Sequence, residues 1–239
     1  MAKRAVITAS DAPSRTLIER AYNQLRDDIV SCRLAPGEKL RVEHLKARYG
    51  VGASTLREAI TRLASDALVE TQGQRGFRVA PIAVADMQDL TRLRIHIEID
   101  ALRLSLRHGN AAWRERLRRA YDDLSRLEQP LHAEHAKPWE ARNTAFHEAL
   151  LSGHASAWTL RLLRILARQS ERYRRYAISL PGSPRDVHAE HREIFLSAMA
   201  GNELRAALAL EAHIQTTAQL VAQALQAGSS TLSPQAPCL

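Results

Sequence analysis

A change of hydrophobic period within the first third of the chain restricts the fold more than any other feature. Leu17, Ala21, Leu25, Ile29 and Val30 recur at helical spacing. That helix should stop near Cys32, because Leu34-Ala35-Pro36-Gly37 is a turn. A second amphipathic piece carries Val42, Leu45 and Tyr49 and ends at Gly50. After Val51-Gly52 a third helix places Leu56, Ile60, Leu63 and Ala64 inside. Ser54 or a near neighbour is expected to cap it, since a hydroxyl there accepts an orphan amide proton. The period then becomes two. Leu68-Val69-Glu70-Thr71 is a β-prone run, Gln72-Gly73-Gln74-Arg75-Gly76 forms a tip, and Phe77-Arg78-Val79-Ala80 returns. Helix, helix, turn, helix and hairpin in this order predict a winged helix-turn-helix of three helices and a β-hairpin over residues 14–82.

Pro81 marks a linker, beyond which the pattern is helical only. Helices are predicted at about 85–108, 112–128, 138–152, 156–177, 185–200 and 203–226. Gly109-Asn110, Pro130, Gly153, Pro181-Gly182-Ser183-Pro184 and Gly201-Asn202 separate them. Residues 84–227 are therefore expected to form an all-α antiparallel bundle, making the fold class mainly α. Residues 1–13 read as a flexible basic arm without the apolar stretch of a signal peptide. The Gly/Ser/Pro-rich residues 228–239 read as a disordered tail.

Composition narrows the setting. A hydrophobic fraction of 45% over 239 residues is enough for real cores without staples. The two cysteines, Cys32 and Cys238, form no CxxC pair, so neither a disulfide framework nor a thiolate zinc site is indicated, and a reducing cytoplasm fits. No run of about 18 apolar residues is present, which argues against a membrane span. The formal charge of +8 favours polyanionic partners through phosphate contacts.

The third helix is the piece suited to a major groove. Ser54 and Thr55 allow close approach to phosphates and bases, and Arg57 can fork onto guanine or clamp a phosphate. Arg41 opens the preceding helix and can reach the same groove. Arg75 and Gly76 lie at the wing tip, where arginine suits a minor groove or a phosphate. The competing reading is a solvated Arg-rich face over an apolar core.

In the second half, Asn143 and His147 stand four apart and share one helix face. His191 precedes the apolar Ile194, Phe195 and Ala198, and His213 lies in the stripe Ala206, Leu210, Thr217, Leu220. Imidazoles on inward stripes of separate helices can converge on zinc, nickel or another borderline divalent ion. With 10 histidines in the chain, chance spacing is the competing explanation. Two other functions fit the same residues: a metalloenzyme with its ion in the bundle, and an effector-independent architectural DNA-binding protein. No HExxH-type general base supports the first, and polar Asn143 with three histidines argues against the second.

The segments Leu34–Leu40, Tyr49-Gly50-Val51, Thr55–Leu63 and Gly73–Val79, in that order, resemble the GntR family of bacterial regulators. Arg94–Glu98, Asn143–His147, Glu190–Ile194 and His213-Ile214 resemble the FCD ligand-binding domain of its FadR subfamily. The resemblance implies a homodimer on a palindromic operator in double-stranded DNA, acting as a repressor. It also implies a divalent metal held by an aspartate and three histidines, at the positions of Asn143, His147, His191 and His213. Here an uncharged amide replaces the aspartate. Ala53 stands where many members have a DNA-contacting arginine. The implied effector is a small organic acid met by the metal and by arginine, with Arg94 the first candidate. Arg172 and Tyr176, on one helical face, are the second. The Gln169–Arg174 run beside Ser156-Ala157-Trp158 is similar to regulators that respond to dicarboxylates such as glutarate.

Overall fold

In the computed structural model the described residues are 12–73, 76–128, 136–154, 156–178 and 185–228, and the chain divides between Ile82 and Ala83 into two compact units. The first unit contains α1 (Ala12–Val30), β1 (Lys39–Leu40), α2 (Val42–Tyr49), α3 (Ala53–Ser65), β2 (Val69–Thr71) and β3 (Phe77–Val79). Its core draws on one face of each helix. Leu56, Ala59, Ile60 and Leu63 of α3 are buried against Ala21, Leu25 and Ile29 of α1, with Leu45 and Tyr49 of α2 beside them. Each such leucine or isoleucine side chain contributes about 1.5–3 kcal/mol on burial. Gly50 ends α2 in the left-handed region at φ 63°, donating its N–H to the Lys46 carbonyl. That conformation carries no Cβ penalty for glycine.

Asp28 of α1 ties this unit together. It is 8% exposed, accepts from the Tyr49 hydroxyl at 2.6 Å and pairs with Arg33 at 2.7 Å and Arg48 at 2.8 Å. Burial pushes its carboxyl up, but the Tyr49 bond and the two guanidinium groups outweigh this and hold it below the usual carboxylate range. Tyr49 moves the opposite way, raised by burial and by donating to Asp28.

The expected hairpin forms from β2 and β3, and β1 extends it into a three-stranded antiparallel sheet, order β1-β3-β2, with Arg78 of β3 facing Lys39 on one side and Glu70 on the other. A two-residue strand is too short to show alternation. Ser54 does not cap α3: the helix begins at Ala53, and its cap, Gly52, has no side chain to offer.

The second unit is a helical bundle of α4 (Val84–His108), α5 (Ala111–Glu128), α6 (Ala136–Leu151), α7 (Ala157–Ile178), α8 (Val187–Met199) and α9 (Glu203–Gly228). α4 packs on α9, α7 and α6, while α5 packs on α6 and α8. Leu102, Trp113, Leu117, Leu124, Phe146, Leu150, Ile194 and Leu210 fill the core. The expected N-terminal arm lies outside the described residues apart from residues 12 and 13, which open α1. The expected tail lies outside them beyond Gly228. Among the described residues, no helix is long and apolar enough to cross a membrane.

Candidate functional site

Three helices of the bundle bring three histidines together. His147 comes from α6, His191 from α8 and His213 from α9, and one ring nitrogen of each lies within 4.8 Å of the others. Their ring centroids are 4.7–5.6 Å apart. Local features fix two of the three. Asp186 caps α8 by accepting from the Ala189 N–H at 2.9 Å, which sets the first turn that carries His191. His213 faces inward on the same α9 stripe as buried Ala206, Leu210 and Thr217.

The rings are held from behind. His191 Nδ1 lies 2.7 Å from Glu128 Oε1, and His213 Nδ1 lies 2.7 Å from Glu190 Oε2. Glu128 also accepts from Trp139 Nε1 at 2.9 Å, and Arg185 pairs with Glu190 and donates to the His213 carbonyl at 3.0 Å. A carboxylate on Nδ1 fixes the tautomer that leaves the Nε2 lone pair facing the cluster. His191 Nε2 and His147 Nδ1 are buried and have no hydrogen-bond partner, as does Asn143 Oδ1 one turn before His147. Burial, reinforced by the neighbouring imidazoles, lowers His147 and His213 well below the ordinary histidine range. Buried ring nitrogens without a hydrogen-bond partner, His147 Nδ1 and His191 Nε2, beside the equally orphaned Asn143 Oδ1 are what a borderline divalent cation requires, so the residues fit such an ion. His188 stands aside, part-buried, with its ring 3.4 Å from Glu128.

A cavity of about 350 Å³ adjoins this cluster, with Asn143 and His147 in its wall. Its other polar walls include Thr144, the Arg94–Glu98 ion pair, Arg116, Arg164 and Arg174, and Leu151, Leu160 and Leu163 supply apolar surface. Arg94 Nε donates to Glu98 Oε1 at 2.6 Å, and the Arg174 guanidinium grips Glu140. Arg94 is therefore at the cavity, as expected. Arg172 is buried but is not in the cavity wall; Arg174, two residues on, takes that place. The Tyr176 side chain lies outside the described residues. Trp158 is 77% exposed and lies away from the cavity, on an outer groove. Sequence reasoning missed Arg174, Glu98, Glu140, Glu128 and Glu190. Signals existed for two: Glu98 is one turn from Arg94, and Glu140 shares a face with Asn143 and His147.

On the first unit, Ser54 and Arg57 are exposed and Thr55 is half-buried, all at the start of α3. Arg41, at the N-terminal boundary of α2, is exposed as well. Gly76 takes φ 91°, and its carbonyl accepts from Gln72 N–H at 2.8 Å. Arg75 lies outside the described residues.

Known proteins match this architecture. The model of bacterial regulatory proteins of the gntR family matches residues 17–79, and that of the FCD domain matches residues 89–216. The HTH-type transcriptional regulator BphR of Paraburkholderia xenovorans (strain LB400) is 44% identical over 214 residues, 87% of this chain and 86% of its own. The HTH-type transcriptional repressor GlaR of Escherichia coli (strain K12) is 29% identical over 209 residues, 85% of this chain and 95% of its own. A crystal structure of a GntR transcriptional regulator from Rhodococcus sp. RHA1 has the same fold, with a TM-score of 0.70 at 22% identity over 87% of this chain and 99% of that one.

Proposed function

The chain belongs to the GntR family of transcription regulators and carries an FCD effector-binding domain, and from that premise we propose that it is a repressor released from its operator by a small carboxylate. The family is one of regulators, not enzymes, which removes the metalloenzyme alternative. GlaR, similar over most of both chains, bears the name of a repressor.

The observation that carries this reading is the meeting of the histidine cluster with a cavity whose wall includes the buried arginines Arg94 and Arg174. The histidines and Asn143 would hold zinc or nickel, which would present a Lewis-acidic centre to a ligand oxygen. Arg94 spends its Nε on Glu98, leaving its terminal amino groups for a ligand carboxylate. A C4–C6 dicarboxylate such as glutarate matches two guanidinium groups in one cavity. Arg41, Ser54, Thr55, Arg57, Arg75 and Gly76 would contact the operator, phosphates fixing register and Arg57 reading a base edge. An apolar run on α7, Trp158, Leu162 and Ile165, faces solvent beside Asp100, Arg103 and Arg161. Apolar surface edged by both signs of charge suits a second copy related by a two-fold, as a palindrome requires.

Thermal unfolding of the zinc-loaded protein with a panel of C4–C6 dicarboxylates tests the sensor assignment. A ligand at a hundred times its Kd stabilises the folded state by about 2.7 kcal/mol. One acid of the panel should raise Tm, and Arg94→Ala should abolish the rise. No rise with any acid would remove the carboxylate from the account.

A further inference from the structure

Resting on the reading of the histidine cluster as a metal centre, we infer that Asn143 makes the metal and a carboxylate ligand mutually dependent: neither binds tightly without the other. The four candidate donors are uncharged. Three are imidazoles, and the fourth is the Asn143 amide oxygen, 2% exposed and without a hydrogen-bond partner. Three of the carboxylates around them are already matched by arginines. Glu98 is paired with Arg94, Glu140 with Arg174 and Glu190 with Arg185. Glu128 stands behind His191, on its far ring nitrogen. A divalent cation entering this cluster therefore meets no charged donor and only Glu128 as an unmatched carboxylate nearby, so it keeps an excess of positive charge in a buried setting, where uncompensated charge is costly. The cavity wall that holds Asn143 and His147 also holds Arg94, so an anion can reach the ion from that side. An anion there offsets the ion's charge, and the ion offsets the anion's desolvation. Linkage makes the two effects equal.

The side chain at position 143 sets the size of this coupling. An aspartate has the same shape and would supply the missing negative charge, so the ion would no longer need the ligand's. The test is a zinc titration of the full chain against a competing chromophoric chelator, at one pH, with and without glutarate. Direct chelation of zinc by glutarate is subtracted. In the native protein glutarate should tighten zinc by about tenfold or more, within the usual span of such couplings. Asn143→Asp should bind zinc tightly without glutarate and respond to it by less than about threefold. The inference falls if zinc affinity of the native protein is the same with and without glutarate, a result that needs no variant to fold. It also falls if Asn143→Asp behaves like the native protein in both titrations. His147→Ala separates the inference from the reading beneath it. Zinc binding that survives this change, or no zinc binding by either protein, removes the metal centre and the inference together. Binding that depends on His147 but ignores glutarate leaves the centre standing and overturns only the coupling.

Discussion

At the scale of single residues, a few side chains with several partners hold the local geometry. Asp28 receives three contacts from two directions, and its neighbours Tyr49 and Arg48 fix the end of α2 against α1. Removing it leaves the Tyr49 hydroxyl buried without its acceptor. Asp28→Ala should therefore cost about 2–3 kcal/mol, the scale of a hydrogen bond to a charged group, in urea unfolding followed at neutral pH. The sign of the pH effect follows from the depressed carboxyl. The unfolded chain binds the proton more readily, so the Asp28 contribution is complete above the ordinary carboxylate value of 3.8 and fades as pH falls below it. The Asp28→Ala deficit should shrink on acidification below that point. Close packing makes a second residue-scale prediction. A Cβ on Gly153 would lie 2.6 Å from the Ser105 carbonyl oxygen and 2.8 Å from its Cα. Backbone cannot yield there, so Gly153→Ala should lose about 1–3 kcal/mol, the usual cost of overpacking. An unchanged Tm in calorimetry would contradict this.

At the scale of elements, α3 shows how one helix serves two tasks. Leu56, Ala59, Ile60 and Leu63 anchor it, which leaves Ser54, Arg57, Thr61 and Arg62 in solvent. Arg57→Ala should then weaken operator binding by about 1–3 kcal/mol, the scale of a bidentate base contact, while far-UV circular dichroism and Tm stay unchanged. Equal affinity at fixed salt would take Arg57 out of the interface. The helices were legible in the sequence because their apolar residues recur with a clear period over two or more turns. β1 was not, since two residues cannot display an alternation. The start of α3 was misread because Ser54 has the chemistry of a cap, while the backbone turns into the helix at Gly52. In α7, Arg172 and Arg174 are both buried, and periodicity does not say which of two inward positions meets a cavity. The partner Glu140, on α6, decides it. Glu128 and Glu190 behind the histidine rings were equally hidden: nothing local in the sequence marks a carboxylate that serves a ring on another helix.

At the scale of the whole molecule, a regulator must convert a ligand in one unit into a change of DNA affinity in the other. A ligand can do this only through its different affinity for two arrangements of the protein. The proposed dimer belongs to that machinery, with the apolar α7 face as its proposed seat. Trp158→Arg should convert a dimer to monomers in sedimentation and weaken operator binding, because a palindrome is read by two half-sites at once. A dimer that persists at the same concentration would place the two-fold elsewhere. The central claim is tested most directly by fluorescence anisotropy of a labelled duplex taken from upstream of this protein's own gene, at fixed salt with zinc, with and without C4–C6 dicarboxylates. The account predicts tight binding that unrelated DNA does not displace, released by one acid, with release lost in Arg94→Ala. Binding that ignores DNA sequence and every acid alike would contradict it.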